Sequence, residues 1–278
     1  MGRSPKFSIE QIVVLFGLLL FVLAFVSCGG VTDNKAMNVL EEDLRTVSSV
    51  TVFFGHQSVG YNILDGIKDI YDGSDGVRIN ISETYSIEEA AKPVFAHGRI
   101  GKNGDPIGKI DAFTEYVEGG IGDEAQITFM KFCYVDFGPD TDYEALFQHY
   151  RNTMTRLREQ FPKTTFIHLT VPLVTRETGI KATAKKLLGR SLSGTEDNLV
   201  RMRYNDELKK EYQGKEPVFD IAGIESTFPN GERNVFSLDG EKYYALIPEY
   251  TTDGGHLNEK GRRVVAARLV QLLATVIL

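Results

Sequence analysis

The chain has 278 residues and a formal net charge of −7, with 42% hydrophobic and 25% charged residues. This composition is typical of globular proteins and excludes a disordered or fibrous chain. An acidic protein repels a phosphate backbone, so nucleic acid is not an expected partner. The 2 cysteines are too few for a disulfide scaffold or a cysteine-rich zinc site.

The amino terminus has the pattern of a secretory signal. Arg3 and Lys6 precede a run without polar side chains over residues 12–26, and Ser27 and Cys28 follow it. As a helix, this run would span about 22 Å, which is short for a bilayer core of about 30 Å. A basic start, a short apolar run and a small residue at its end predict a signal peptide over residues 1–27.

The end of this segment resembles a bacterial lipoprotein signal. The resemblance lies in Phe25-Val26-Ser27-Cys28 and implies that Cys28 is lipidated and becomes the first mature residue. An uncleaved anchor and plain secretion are the open alternatives. Gly29 is not the aspartate that retains such lipoproteins at the inner membrane. The resemblance therefore implies anchoring in the cell envelope, at the outer membrane if the cell has one.

After a tether and polar leader over residues 28–48, with a short helix predicted over 35–46, strand and helix patterns alternate. The strands are predicted over 50–54, 77–81, 126–135, 165–171 and 218–221, and the helices over 61–71, 143–161, 199–212 and 259–276. Such alternation predicts one domain over 49–278, a three-layer α/β/α sandwich around a parallel five-stranded sheet of flavodoxin-like type.

A serine follows the first predicted strand directly, in the segment Gly55-His56-Gln57-Ser58-Val59-Gly60. Ligands of such sheets bind beyond the carboxyl ends of the strands. The start of the next helix offers unpaired N–H groups and partial positive charge to a developing oxyanion. Ser58 is therefore a candidate nucleophile, although serine is also a common helix N-cap.

The segment Asp253-Gly254-Gly255-His256 precedes the last helix. This spacing can set a carboxylate against one ring nitrogen of an imidazole and leave the other nitrogen free to accept a proton from serine. An Asp-Gly turn with an incidental histidine is the alternative. A metal site is not expected, because no second histidine lies four residues away. No cofactor is implied.

Together these two segments resemble the SGNH (GDSL-type) hydrolase family, over most of residues 49–278. The ending DGGHLNEKG is the most specific part, whereas GHQS stands where Gly-Asp-Ser is usual. The resemblance implies a Ser58, His256 and Asp253 triad. It also implies an oxyanion hole formed by the N–H groups of Ser58 and Gly104.

The third block of the family, which usually ends in Gly-x-Asn-Asp, corresponds to Cys133-Tyr134-Val135-Asp136. Val135 stands in place of the asparagine, so the third oxyanion donor is in question and Asn103 is a candidate substitute. Cys133 is expected to be a small buried hydrophobic residue. Lys131, within the same predicted strand, needs a partner.

The expected function is hydrolysis of a carboxylic ester through an acyl-enzyme, with short acyl groups such as O-acetyl on glycans as the anticipated substrates. The alternatives are a weakly active or inactive carbohydrate-binding surface lipoprotein and an O-acyltransferase. The α/β-hydrolase pattern fits less well, because its elbow is Gly-x-Ser-x-Gly. Residues 175–198 are a candidate lid, and Tyr243, Tyr244 and Tyr250 are candidates to stack on sugar rings.

Overall fold

The computed structural model describes residues 40–72, 77–188, 192–238 and 240–277. The chain divides into two compact units, Met1–Glu42 and Asp43–Leu278. The predicted signal peptide over residues 1–27 and Cys28 lie outside the described residues. In the described ranges, no helix combines the length and apolar character needed to cross a bilayer.

A parallel sheet lies at the centre of the unit Asp43–Leu278. In the described ranges its strands are β1 (Val52–His56), β2 (Ile81–Glu83), β3 (Phe95–Arg99), β4 (Ile127–Met130), β5 (Thr165–Leu169) and β6 (Val218–Phe219). Their order is β2-β3-β1-β4-β5-β6, and every neighbouring pair is parallel. All five residues of β1 are buried, because helices cover both faces of the sheet.

Helices on both faces of the sheet form the outer layers. In the described ranges, the α-helices of five or more residues are α1 (40–48), α2 (Ser58–Tyr71), α3 (Pro106–Tyr116), α4 (Tyr143–Gln160), α5 (Gly179–Leu187), α6 (Glu196–Tyr212), α7 (Ile221–Glu225) and α8 (Glu259–Ile277). Phe53 of β1 stacks on Phe113 of α3, with ring centroids 6.4 Å apart. His56 of β1 lies against Gly60 of α2, where a Cβ would come within 2.2 Å of the imidazole. Phe53 and His56 point to opposite faces of β1, because successive side chains of a strand alternate between its two faces. Helices α3 and α2 therefore cover opposite faces of the sheet, which confirms the predicted three-layer α/β/α class.

The predicted count of five strands is wrong, because the described residues form a sheet of six. The missed strand is β3, which lies beside β1 although its sequence, FAHGR, lacks a run of β-branched residues. The strand predicted over 126–135 ends at Met130, and that predicted over 77–81 appears as Ile81–Glu83. Helix α3 and an antiparallel hairpin of β7 (Val235–Leu238) and β8 (Glu241–Tyr244) were not predicted.

The parallel arrangement brings the segments after β1, β3, β4 and β5 to one edge of the sheet. The chain continues from β1 to strands on one side and then from β4 onward to strands on the other. This topological switch at β1 is where open α/β sheets bind their ligands. The residues that follow β1 therefore lie at the position expected for a functional site.

Helices α2 and α8 pack closely against each other. A Cβ on Gly66 of α2 would lie 2.3 Å from the carbonyl oxygen of Arg262 in α8, so only glycine permits this approach. Near the same crossing, the guanidinium of Arg262 donates to both carboxylate oxygens of Asp69, at 2.6 and 3.0 Å. A bidentate pair of this kind fixes orientation as well as distance. The crossing thus sets where the amino-terminal ends of both helices lie.

Candidate active site

Ser58 is the first residue of α2. Strand β1 ends at His56, and Gln57 takes an extended conformation (φ −131°, ψ −157°) as the helix N-cap. At this position the backbone N–H of Ser58 has no carbonyl one turn earlier in the helix to bond with. The partial positive charge of the helix amino terminus lies at the same place. The turn therefore presents a hydroxyl and a backbone donor together.

The carboxylate of Asp253 organises the loop before α8. Its Oδ1 accepts hydrogen bonds from the backbone N–H groups of Gly255 at 2.9 Å and His256 at 2.8 Å. Its Oδ2 lies 2.6 Å from Nδ1 of His256. Gly254, which lies between Asp253 and His256 in the sequence, has φ +93°, a conformation that favours glycine. The contact between Asp253 and His256 therefore forms within a turn of four consecutive residues.

The imidazole of His256 completes a hydrogen-bonded series from Asp253 to Ser58. Its Nε2 lies 3.0 Å from Oγ of Ser58, across 198 residues of sequence. With Nδ1–H donating to the carboxylate, Nε2 carries the lone pair and accepts from the serine hydroxyl. The structure therefore brings together all three residues that the sequence motifs single out.

The carboxyl of Asp253 stays ionised in this arrangement. Burial alone would raise its pKa, but the hydrogen bonds from Gly255 N–H and from the imidazole and N–H of His256 outweigh burial and hold the pKa well below its ordinary value. An ionised carboxylate keeps the proton of His256 on Nδ1. It also favours a positively charged imidazole once Nε2 accepts a proton.

Two further side chains hold the loop that carries Asp253 and His256: Tyr134, which the sequence suggests as a contact near the pocket, and Asn62, which it does not. The hydroxyl of Tyr134 lies 3.4 Å from Nδ1 of His256, and the two rings meet edge to face at 5.6 Å. A Cβ on Gly255 would lie 2.6 Å from the Tyr134 ring, so the ring closes over the glycine. From α2, Oδ1 of Asn62 accepts the N–H of Leu257 at 3.2 Å. These contacts orient the imidazole relative to α2.

Gln57 joins the segment after β3 to the turn between β1 and α2 that carries Ser58. Its amide Nε2 donates to the carbonyls of Ile100 and Gly101, both at 2.9 Å. Gln57 stands where the Gly-Asp-Ser motif has aspartate, and the sequence alone shows only a departure from that motif. Its structural role is to place the segment that leads to Asn103 and Gly104 beside Ser58.

The predicted oxyanion donor Gly104 is engaged elsewhere in this structure. Its N–H donates to Oδ1 of Asp136 at 2.8 Å, so it is not a free donor in this geometry. Asp136 also accepts from the N–H of Cys133 at 2.6 Å and from Nζ of the fully buried Lys109. This ion pair joins α3 to the loop after β4. Nζ of Lys109 also donates to Oδ1 of Asn103 at 2.9 Å. This bond uses the side-chain oxygen of Asn103, an exposed residue, and leaves its NH₂ group able to donate to a ligand.

The other histidine of the first motif, His56, serves the backbone rather than the reacting groups. Its Nδ1 lies 2.8 Å from the carbonyl of Gln57 and its Nε2 lies 3.1 Å from Nδ1 of His97. Burial lowers the pKa of His56 to about 3 and also lowers that of His97. Both imidazoles are therefore neutral at physiological pH and form a polar support beneath the turn.

Two remaining expectations can be compared with the structure. Cys133 is buried, as predicted, and Nζ of the buried Lys131 lies 3.6 Å from its sulfur and donates to the carbonyl of Phe132 at 2.9 Å. The sugar-stacking role suggested for Tyr243 and Tyr250 is wrong, because both rings are buried in the protein. In the described part of the chain, no three His, Cys, Asp or Glu side chains are grouped to hold a metal ion.

Comparison with known proteins gave no matching family profile and no matching curated protein. Solved structures do align with the chain. The neighbours are hydrolases of the SGNH/GDSL type. A GDSL-like lipase from Bacteroides thetaiotaomicron is 14% identical, with a TM-score of 0.47 and coverage of 82% of this chain and 89% of that chain. A protein of Bacteroides fragilis assigned as an acylhydrolase is 14% identical, with a TM-score of 0.49 and coverages of 83% and 88%. A carbohydrate esterase family 3 structure from Talaromyces cellulolyticus is 12% identical, with a TM-score of 0.44 and coverages of 82% and 97%.

Proposed function

We propose that this chain is a serine esterase of the SGNH type that hydrolyses carboxylic esters through an acyl-enzyme. The observation that carries the proposal is the hydrogen-bonded series from Asp253 through His256 to Ser58. This arrangement is the one that activates a serine hydroxyl, and it places the hydroxyl at the amino terminus of a helix. No cofactor takes part in the proposed reaction.

The reaction begins when Oγ of Ser58 attacks the ester carbonyl carbon and its proton passes to Nε2 of His256. The carbonyl oxygen becomes an oxyanion, and the carboxylate of Asp253 stabilises the imidazolium. When the tetrahedral intermediate collapses, His256 gives the proton to the departing alcohol. Water then repeats the sequence on the acyl-enzyme and releases the acid and free Ser58.

The oxyanion is proposed to be bound by the N–H of Ser58 and the side-chain amide of Asn103, with Gly104 joining only if its hydrogen bond to Asp136 is shared or released. Loss of one oxyanion donor costs about 10²–10³ in rate in well-studied hydrolases. Since Val135 replaces the usual asparagine, we expect turnover to be slow compared with family members that have three donors.

The proposed substrates are esters of short acyl groups, such as O-acetyl groups on glycans of the cell envelope. This part rests on the predicted lipid anchor at Cys28, which would hold the enzyme close to such polymers. Replacing Cys28 with alanine is expected to move the protein from the membrane fraction to the soluble fraction. An unchanged distribution would contradict lipidation as the anchor.

The proposal is tested by hydrolysis of aryl esters of increasing chain length and of acetylated glycans. Ser58→Ala is expected to abolish turnover, whereas Ser237→Ala, an exposed serine in β7, serves as the matched control and keeps it. Equal rates for Ser58→Ala and the unsubstituted chain would remove Ser58 from the mechanism. Product analysis with a glycan acceptor present separates hydrolysis from O-acyl transfer, and absence of any turnover would favour a binding protein.

A further inference from the structure

Two neighbouring cavities lie around the loop between α7 and β7. The smaller has a volume of about 350 Å³ and lies between α6, the start of α7 and β8. The larger has a volume of about 500 Å³ and lies between α7, this loop and α8. Arg233 of the loop lines both cavities, whereas the triad residues Ser58, Asp253 and His256 line neither. The two cavities are therefore separate from the catalytic residues.

The side chains that line the two cavities carry a net positive charge, although the whole chain has a net charge of −7. Four of them are basic and two are acidic: Lys209, Arg233, Lys242 and Arg268 against Asp206 and Asp220. Nζ of Lys209 already contacts both carboxylates, at 3.5 Å from Asp206 and 3.8 Å from Asp220. Among the described residues, no carboxylate forms an ion pair with Arg233, Lys242 or Arg268. Three basic side chains therefore remain for an anion.

The carboxylate of Asp220, which lines both cavities, is engaged within the protein. Its Oδ1 accepts hydrogen bonds from Oγ1 of Thr170 at 3.1 Å and from the N–H of Gly223 at 3.0 Å, and the second of these bonds caps α7. A helix cap is a structural role that a carboxylate commonly has. The negative charge of Asp220 is thus used by the fold and by Lys209, and it does not offset the charge of Arg233.

Arg233 is held in one orientation by its neighbours. Its guanidinium lies over the ring of Tyr244, 3.8 Å from the ring centroid. One terminal nitrogen donates to Oγ of the buried Ser226 at 2.9 Å. A guanidinium has five N–H donors in a planar fork, and this contact leaves most of them free. A fork fixed in this way can bind a carboxylate or a phosphate through two parallel hydrogen bonds.

We propose that the two cavities form a binding site for a ligand that carries a carboxylate or phosphate group. Arg233, at the boundary between the cavities, binds the anionic group through its fork. Lys242 in the smaller cavity and Arg268 in the larger add positive charge on the two sides. Because Arg233 lines both cavities, a ligand with more than one anionic group can occupy both. The proposal concerns binding and does not depend on the esterase activity, so failure of one leaves the other testable.

The test uses the full chain carrying Cys28→Ala and Ser58→Ala, so that neither a lipid anchor nor turnover contributes to the signal. Binding is measured by isothermal titration calorimetry at low ionic strength. The anionic probes are trigalacturonate, glycerol 3-phosphate and inorganic phosphate, and the neutral control is maltotriose. Arg233→Met and Lys242→Gln remove two of the proposed contacts. Arg263→Met is the matched control, because Arg263 is an exposed arginine of α8 that lines neither cavity.

We expect saturable binding of at least one anionic probe and no binding of maltotriose. Binding of trigalacturonate alone would identify a carboxylate ligand, and binding of the two phosphates alone would identify a phosphate ligand. Arg233→Met should weaken binding by about 10- to 100-fold, since it removes hydrogen bonds to a charged group. Lys242→Gln removes one exposed charge and should weaken binding by about two- to fivefold, with no change in Arg263→Met.

The proposal is overturned if none of the anionic probes binds saturably up to about 10 mM. It is also overturned if maltotriose binds equally well, or if Arg263→Met weakens binding as much as Arg233→Met does. Lys242 is exposed, so Lys242→Gln keeps the fold and tests the site even if Arg233→Met does not fold. Unchanged binding in Lys242→Gln would then exclude Lys242 and overturn the site as proposed.

Discussion

Replacement of Gly66 with alanine tests how the fold sets the geometry of the site. The added Cβ would lie 2.3 Å from the Arg262 carbonyl oxygen and 2.8 Å from Cβ of Ala266, whereas ordinary contacts begin near 3.4 Å. The first clash is with a backbone atom, so α2 and α8 must separate by about 1 Å to relieve it. Ser58 is the first residue of α2, and His256 lies just before the start of α8, so this separation changes the distance between them. A misplacement of about 1 Å in an active site costs about 10²-fold in rate.

We therefore expect Gly66→Ala to lower kcat for a soluble aryl ester by about 10- to 100-fold. Overpacking costs about 1–3 kcal/mol, and the better helix propensity of alanine returns up to about 1 kcal/mol. The net loss should be about 1–2 kcal/mol in the free energy of unfolding, measured by urea denaturation. Gly119→Ala is the control, because a Cβ there meets no atom within 4 Å. Wild-type kcat in folded Gly66→Ala would show that the packing of α2 against α8 does not set the distance between Ser58 and His256.

Three further substitutions probe the site and its supports. Asp253→Asn should lower kcat by about 10³–10⁴-fold with little change in KM, since an amide no longer fixes the His256 tautomer; a loss below tenfold would contradict this. Lys109→Met leaves Asp136 buried without its cation and should cost about 3–5 kcal/mol by urea denaturation, whereas a change under about 1 kcal/mol would show that the ion pair is not needed. Burial raises the pKa of Glu225 from 4.5 to about 8, so the folded chain binds its proton more tightly and stability falls as pH rises between these values. Glu225→Gln should therefore be more stabilising at pH near 8 than near 5, and equal effects at both would contradict the shift.

Local motifs account for the part of the site that the sequence predicts. Asp253 and His256 lie three residues apart, so the turn that joins them can be predicted from consecutive residues of the sequence. Ser58 is identified by its position between a strand pattern and a helix pattern. The contact between Ser58 and His256 spans 198 residues, and it was predicted only through the resemblance to a known family.

The residues that support the site are not marked by any comparable sequence motif. Lys109 and Asp136 are 27 residues apart, and a single lysine and a single aspartate match no pattern until the fold buries them together. The same holds for His56 and His97, which are 41 residues apart. Strand β3 was missed for a related reason, because FAHGR has neither alternation nor β-branched residues and is buried by its neighbours in the sheet.

Covalent labelling with a serine-reactive probe shows whether His256 activates Ser58. The full chain is treated with a fluorophosphonate probe, and the labelled peptide is identified by mass spectrometry. We expect a single adduct on the peptide containing Ser58, lost in Ser58→Ala and strongly reduced in His256→Gln. An adduct on another serine, or labelling of Ser58 at the same rate without the imidazole, would contradict the proposed mechanism.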